Sequence, residues 1–512
     1  MAIFDISINW SLIFVLATLT TAIYRRVKKG RLPYPPGPKK WPIIGNMFSI
    51  PEDQPWIAFK QWSEEKGSDV ISVEVLGSHM VVLNSSTAVR DIMDKRSSNY
   101  SDRQGWTWNF AFMPYGPVWK EHRRVFRQEA EYPEARLHQP HALLAARRFI
   151  KHVLHEPITW TEHLRHMAGL VVLSTAYGID VKPQGDPFIE IAEKAMGGLA
   201  KGGNTGTYLV DFIPALKYIP EWFPGAGFQK EAKEWYKWVT LLPDAGFQLA
   251  KANYVSDAGT GKYCIAARVL DKLRDDPDRD RKEKVLRNAL GVFYSAGSDT
   301  TVSSISTFVL AMVLNPDIQQ KLRSAVEAVV GTDRLPEFED VEPIDYLHAV
   351  VKETLRWQPV TPLAVAHGAS DDDVYNGYHI PKGAAVVGNS WALLREEGTW
   401  GPHPDQFRPE RFLTTDGKLN PAVPHPDSAF GFGRRICPGR IIAYSSMMIT
   451  CASLLQCFNI IKQKDIDGQE ITPKVEYTTG LLSFPKPFDC EFQVRSETMR
   501  RLMEEGTEIV EH

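Results

Sequence analysis

The chain has 512 residues, 43% of them hydrophobic, which is ample material for one large core or for two or three smaller ones. Its net charge of −3, without a long basic or acidic block, argues against a nucleic-acid partner. The five cysteines (Cys264, Cys437, Cys451, Cys457 and Cys490) have neither disulfide nor metal-cluster spacing, so the main body reads as reduced and cytosolic.

In chain order, Ile6 to Tyr24 is apolar and is followed at once by Arg25, Arg26, Lys28, Lys29 and Arg31. That charge asymmetry predicts an uncleaved signal-anchor crossing a membrane once, with the basic flank in the cytosol. Asn9, Asn84 and Asn99 head sequons; the last two are expected on the cytosolic side and bare. Leu32 to Pro38 is too rich in proline for helix or sheet and reads as a stiff spacer. The expected divisions are an anchor over 1–31, a hinge over 32–45 and a catalytic body over 46–512.

Val70–Val75 and Met80–Leu83 around Leu76-Gly77-Ser78 predict a β-hairpin, and helical periodicity resumes at Thr87. Gly105 to Met113 is aromatic, without a clear period, and pattern alone leaves a core strand and a loop equally open. Trp119 and Arg123 lie four apart, so they share one helix face. Asp211 to Gly225 is an apolar connection broken by proline. Val285 to Leu314 reads as one long helix stopped by Asn315-Pro316. Within it, Ala296-Gly-Ser-Asp-Thr-Thr301 collects poor helix formers, and a local widening of the helix is expected there. Glu353 and Arg356 are three apart on a later helix, and Pro409-Glu-Arg411-Phe412 follows. From Arg495 the chain is charged and is expected to fray.

The chain is organised around Phe430-Gly-Phe-Gly-Arg-Arg-Ile-Cys437-Pro-Gly439. Pro438 suits a first helical position, and Ile441 to Phe458 predicts a buried helix. A sulfur at that helix start meets free N–H groups and a positive dipole end, which should lower its pKa. Gly433 and Gly439 leave room for a large flat ligand, and Arg435 can reach an anionic group on it.

Phe430, Gly433, Arg435, Cys437 and Gly439 fit the haem-binding loop F-x-x-G-x-R-x-C-x-G, and the chain thus resembles the cytochromes P-450. The other short motifs match that family in order, from the anchor to the cysteine loop, and the style is that of fungal microsomal members of secondary metabolism. The resemblance implies a mainly α (α+β) P-450 fold with a long central helix and a small β-rich region. It implies haem b, O2 as co-substrate and Cys437 as axial ligand of the haem iron. Arg435, Trp119, Arg123 and His367 would hold the haem propionates. Thr300 would stand beside the oxygen site and Asp299 would relay protons to it. Glu353, Arg356 and Arg411 would brace the cysteine loop. Trp106, Trp108, Phe110, Phe112, Phe293, Ala296, Val360, Leu363 and Leu481 would wall the substrate pocket, and Asp211–Gly225 would be a mobile lid that touches the membrane.

No flavin or iron–sulfur motif is present, so electrons are expected from NADPH through a membrane-bound NADPH–cytochrome P-450 reductase, with cytochrome b5 as a second candidate donor. Lys120, Arg124 and Arg434 are candidate contacts for that partner. The implied reaction is oxygen insertion into an apolar terpenoid, steroid, stilbene or polycyclic aromatic substrate at the endoplasmic reticulum membrane. Two other classes share such a loop: an oxygen-independent isomerase or dehydratase, opposed by Thr300 and Asp299, and a non-catalytic haem binder, opposed by the anchor and the apparent pocket.

Overall fold

The computed structural model describes residues 32–506 apart from 104, 106–107, 132, 183–184, 203–207, 212 and 257–263. The expected anchor over 1–31, the Asn9 sequon and Trp106 therefore lie outside the described residues.

A 36-residue helix, Arg279–Leu314, is the axis of the molecule. It is apolar on nearly every side from Val285 to Ser295 and from Val302 to Val313, so it is buried among other helices rather than lying on the surface. Helices Pro117–Ala130, Trp160–Tyr177, Gly227–Ser256 and Arg440–Cys457 pack against it. Asn315 and Pro316 end it and begin Pro316–Val330, as proline at a first helical position allows. Among the described residues it alone is long and apolar enough to cross a membrane, and its burial explains that composition.

The sheet is small. Val70–Val75 (β1) and Ser78–Leu83 (β2) form the expected hairpin, with Leu76 and Gly77 both at positive φ in the two-residue turn. His367–Gly368 (β3) and Ala385–Gly388 (β6) complete a sheet of order β1-β2-β6-β3, in which β6 runs parallel to β2 and antiparallel to β3. Asp373–Tyr375 (β4) and Tyr378–Ile380 (β5) are a second hairpin turning at Asn376-Gly377. Phe458–Lys462 (β7) pairs with Cys490–Val494 (β8).

For Gly105–Met113, where strand and loop stood equally open, the described residues contain no strand. Two expectations change. The central helix stays α-helical through Ala296–Thr301 without the expected widening, and its hydroxyls bond back to its own carbonyls: Ser298 to Tyr294 O at 2.8 Å and Thr300 to Ala296 O at 2.7 Å. The proline-rich segment forms neither helix nor sheet, and it is fastened to the β1–β2 hairpin. Ser72 donates to Pro35 O and Pro36 O at 2.7 and 2.8 Å, and the Tyr34 ring stacks on His79. The chain after Arg495 is ordered up to Gly506: Arg495 donates to Gln456 O at 2.9 Å, and helix Glu497–Glu505 buries Met499 and Met503, four apart on one face.

Candidate active site

The cysteine loop leaves a short turn at Asp427–Phe430, bends at Gly431 and Gly433, and enters helix Arg440–Cys457 with Gly439 as its cap. Gly433 has φ 54°, and a Cβ there would stand 2.3 Å from Met93 O, so a side chain is excluded. Cys437 N–H donates to Phe430 O at 2.8 Å, closing the loop on itself. Pro438 is outside the helix, which starts two residues later than expected. Cys437 is half-buried, and a Cβ on Gly439 would be 4.0 Å from its sulfur and 3.9 Å from the Phe126 ring.

The expected lowering of the thiol pKa is reversed in the protein by itself. Burial pushes it up, while the N–H groups of Gly439 and Arg440 and the charges of Arg123 and Arg440 pull it down by less. The donors foreseen at the helix start are thus present, but desolvation of an unliganded thiolate outweighs them. A metal cation bound to the sulfur removes that penalty, because it favours the same anionic form.

Beside this loop lies an accumulation of positive charge. Arg435 is buried and donates to Ser101 O, Phe110 O and Met113 O at 2.8, 3.2 and 2.7 Å, with its guanidinium 4.3 Å from the centre of the Trp119 ring. Arg123, one helical turn after Trp119, donates to Ile436 O. His367 accepts the remaining side of the cluster, its Nδ1–H donating to Tyr100 O at 2.6 Å. Arg103 is also buried; it donates to Ala111 O, and its Nε is buried without a partner. None of the ion pairs among the described residues includes Arg103, Arg123 or Arg435.

Burial pushes the Arg123 and Arg435 guanidiniums down to about 10, and that of Arg103 well below its usual range, with the other two arginines adding repulsion. His367 is pushed down to about 3 by burial and next by the Arg103 charge. A buried cationic cluster of this kind is incomplete as protein and fits a ligand carrying carboxylates. Sequence reasoning missed Arg103, which follows Asp102 in an irregular segment where no periodicity or motif marks it.

A second charged cluster is complete. Glu353 and Arg356 are fully buried, with Arg356 Nε and Nη2 donating to the two carboxylate oxygens at 2.7 and 2.9 Å. Arg411 Nε donates to Glu353 at 3.1 Å, and the Arg408 backbone N–H does so at 2.7 Å. Arg356 also donates to Leu394 O at 2.8 Å. The two short motifs thus meet as one network that pins Asp345–Trp357 to the segment around Pro409–Phe412.

The candidate pocket walls divide. Phe110 and Phe293 are buried on either side of the Phe126 ring, at 5.8 and 5.4 Å between centroids. Leu363 packs against Phe59, Ile71, Val73 and Val82 under the small sheet. Trp108, Phe112, Val360 and Leu481 keep a partly open face, and Ala296 is exposed although the helix is largely buried from Val285 to Ser295 and from Val302 to Val313. Trp108 reaches the central helix at Gly291, where a Cβ would stand 3.1 Å from its ring. The Leu481 turn is tied to the site by Ser483: its N–H donates to Val360 O at 2.8 Å, and its carbonyl accepts from Ser303 at 2.6 Å.

On the opposite side, Lys120, Arg124 and Arg434 are exposed, with Lys120 and Arg434 over the Tyr115 ring at 5.2 and 5.4 Å. Among the described residues no three His, Cys, Asp or Glu side chains converge as a metal-ligand set. An iron held by Cys437 would therefore take its other donors from a prosthetic group, and the carboxylate-seeking cluster beside that cysteine fits haem.

Comparison with known proteins agrees. Residues 35–492 match the cytochrome P-450 family. A cytochrome P-450 monooxygenase of Armillaria gallica is 39% identical over 504 residues, covering 96% of this chain and 98% of that protein. One from Rhodocybe pseudopiperita is 40% identical over 483 residues, 92% of this chain and 91% of the relative. The tryptamine 4-monooxygenase of Psilocybe cyanescens is 37% identical over 484 residues, 92% and 95% of the two chains. The chain belongs to the cytochrome P-450 family, as a monooxygenase whose family uses haem iron and O2.

Proposed function

We propose that Cys437 is the protein ligand of the haem iron, and that Arg435, Arg123, Trp119, His367 and Arg103 receive the haem propionates. The observation that carries this reading is the buried group of guanidiniums that forms no ion pair among the described residues, with one Arg103 nitrogen unpartnered, placed beside the cysteine of a glycine-rich helix-entry loop. When bound, the haem supplies oxygen activation, for which a thiolate ligand donates electron density.

The chain's own part is to bind, orient and move protons. Gly433 and Gly439 keep side chains out of the loop below the cofactor. Ala296 leaves a gap on the central helix, with the Thr300 hydroxyl one turn later and directed at Ala296 O. Monooxygenation converts RH, O2, two electrons and two protons to ROH and water, so protons must reach the oxygen side. Asp299, beside Thr300, is the acid placed to supply them, and burial raises its pKa above the usual carboxylate value.

Trp108, Phe112, Ala296, Val360 and Leu481 offer an apolar and aromatic surface without a carboxylate, which favours a rigid apolar substrate of terpenoid, steroid, stilbene or polycyclic aromatic type, hydroxylated or epoxidised. The tryptamine-oxidising relative adds indoles to the compounds worth testing. Electrons come from NADPH through a reductase docking at Lys120, Arg124 and Arg434, with cytochrome b5 as the second donor. Attachment to the endoplasmic reticulum membrane is supported by the exposed Tyr218, Trp222 and Phe223, 77%, 81% and 50% accessible, in the connection expected to touch the bilayer.

The test is turnover in yeast microsomes with a fungal reductase and NADPH across a panel of these skeletons. Oxygenated product that requires both NADPH and O2 supports the proposal. Product formed without either would move the reading to an isomerase or dehydratase.

A further inference from the structure

The turn that carries Leu481 is fastened in two different ways. Its base closes on itself: Tyr477 and Pro485 form a bridge, Thr478 N–H donates to Phe484 O at 2.8 Å, and Ser483 Oγ donates to Thr478 O at 2.9 Å. The central helix holds that base. Ser303 donates to Ser483 O at 2.6 Å, and the Tyr477 hydroxyl donates to Thr307 Oγ1 at 3.2 Å, all of these residues being buried. Ala296, Thr300, Ser303 and Thr307 are spaced four, three and four apart, so they form one stripe of the helix. The turn therefore lies along the face that carries Thr300, and its first tie is about one helical turn away.

The tip is held from elsewhere. Thr479 Oγ1 donates to the Asp53 carboxylate and accepts from the Gln54 N–H at 3.0 Å. Asp53 is exposed and Thr479 is half-buried. Gln54 has φ 45°, a left-handed conformation that a residue other than glycine holds at a cost. Among the described residues no hydrogen bond reaches Gly480, Leu481 or Leu482. Leu481 thus hangs between a buried base and a solvent-facing clasp.

We propose that Thr479 is a specificity-determining residue, whose clasp on Asp53 and Gln54 holds the Leu481 tip over the Thr300 face and limits how bulky a substrate can be. The inference rests on Leu481 being a wall of the substrate pocket, as read above. Opening the clasp gives up two hydrogen bonds, one of them to a carboxylate, and leaves the base in place. Water can replace the partner of the exposed Asp53, so opening strands no buried charge. A compact ligand binds with the clasp shut. A bulky one binds only the open form, and its affinity is reduced by the fraction of molecules that are open.

The test measures binding of imidazole, phenylimidazole and biphenylylimidazole to the haem-loaded full chain, from the shift of its main absorption band and without turnover. Hydrogen exchange of the segment containing Gln54 is followed beside it. Thr479→Val keeps the shape of the side chain and removes both bonds. It should tighten biphenylylimidazole roughly 10-fold, leave imidazole unchanged and speed exchange at Gln54. Thr479→Ser keeps the hydroxyl and should behave as the parent. Asp53→Ala, made on the exposed partner, should shift the selectivity in the same direction by less. Leu481→Trp should weaken biphenylylimidazole. Parent-like selectivity in Thr479→Val and Asp53→Ala, beside that weakening in Leu481→Trp, would overturn the clasp and leave Leu481 as a wall. Unchanged affinity for every probe in Leu481→Trp would overturn both.

Discussion

Two buried charged clusters flank the proposed haem site, and they are built on opposite terms. Around Glu353 the two guanidiniums of Arg356 and Arg411 share one carboxylate, and nearby carbonyls take further N–H groups. Around Arg435 the guanidiniums of Arg103, Arg123 and Arg435 converge without an ion pair to any described carboxylate, Asp102 and Glu131 acting on them only from a distance. The first cluster is finished when the chain folds. The second is finished by a ligand, and its charges work against folding until that ligand arrives. A buried arginine is therefore informative about function when its partners are missing, and about architecture when they are present.

The contrast is broken most forcefully at Glu353. Glu353→Gln removes the one anion from two buried cations and should cost about 3–5 kcal/mol, the range for breaking a buried ion pair from one side. The check is thermal unfolding, and the loss should appear whether or not haem is supplied. If the variant melts like the parent, the network is not what braces the proximal side.

In the incomplete cluster the same kind of change should act with opposite signs. Arg103→Met relieves repulsion in the haem-free protein, which should melt higher than the parent. In the haem-loaded protein it should speed haem transfer to a scavenger globin roughly 10- to 100-fold, from the ~1.5–3 kcal/mol of a hydrogen bond to a charged group. Arg435→Met should weaken both forms, because Arg435 also holds three backbone carbonyls.

A smaller effect is expected from pH. His367 is held neutral in the fold, with its pKa near 3, below the ~6.5 of an unfolded histidine. Its contribution is present above pH ~6.5 and is lost as pH falls toward 3, since the unfolded chain then binds the extra proton. His138 and His152, each pushed down to about 4 by burial, add to the same acid loss. The difference between the parent and His367→Asn isolates the one residue, and urea midpoints at pH 7 and pH 5 should converge in that variant. Haem loading should shrink the effect, because propionate charge favours the protonated ring.

The smallest structural effect belongs to Thr300→Ala. It removes one hydrogen bond to Ala296 O and should change stability by no more than about 1 kcal/mol. Its signature is functional: NADPH consumption should continue while product per NADPH falls. Unchanged product yield would remove Thr300 from the reaction.

What could be read in the sequence follows from how local each device is. The cysteine loop, the Trp119–Arg123 pair and Glu353–Arg356 are set by spacing within one turn or helix, so their residues are visible without a fold. The joining of Glu353 to Arg411 is long-range and came through family resemblance; the structure shows the bonds. Arg103 was invisible because it is delivered by an irregular turn whose path depends on Arg435 gripping three of its carbonyls. The direction of the Cys437 shift was misjudged because helix-end donors are local and burial is not. Ordering after Arg495 was missed for a similar reason: two methionines four apart are a weak stripe until strand β8 brings them to the core.

The most direct test is the reduced carbon monoxide difference spectrum of Cys437→Ser beside the parent, with haem content measured in both. The parent should show the absorption band of a thiolate-ligated haem, and the variant should lose that band even where haem is retained by the arginine cradle. A thiolate-type band that survives the replacement of Cys437 would contradict the assignment of this cysteine and of the site built around it.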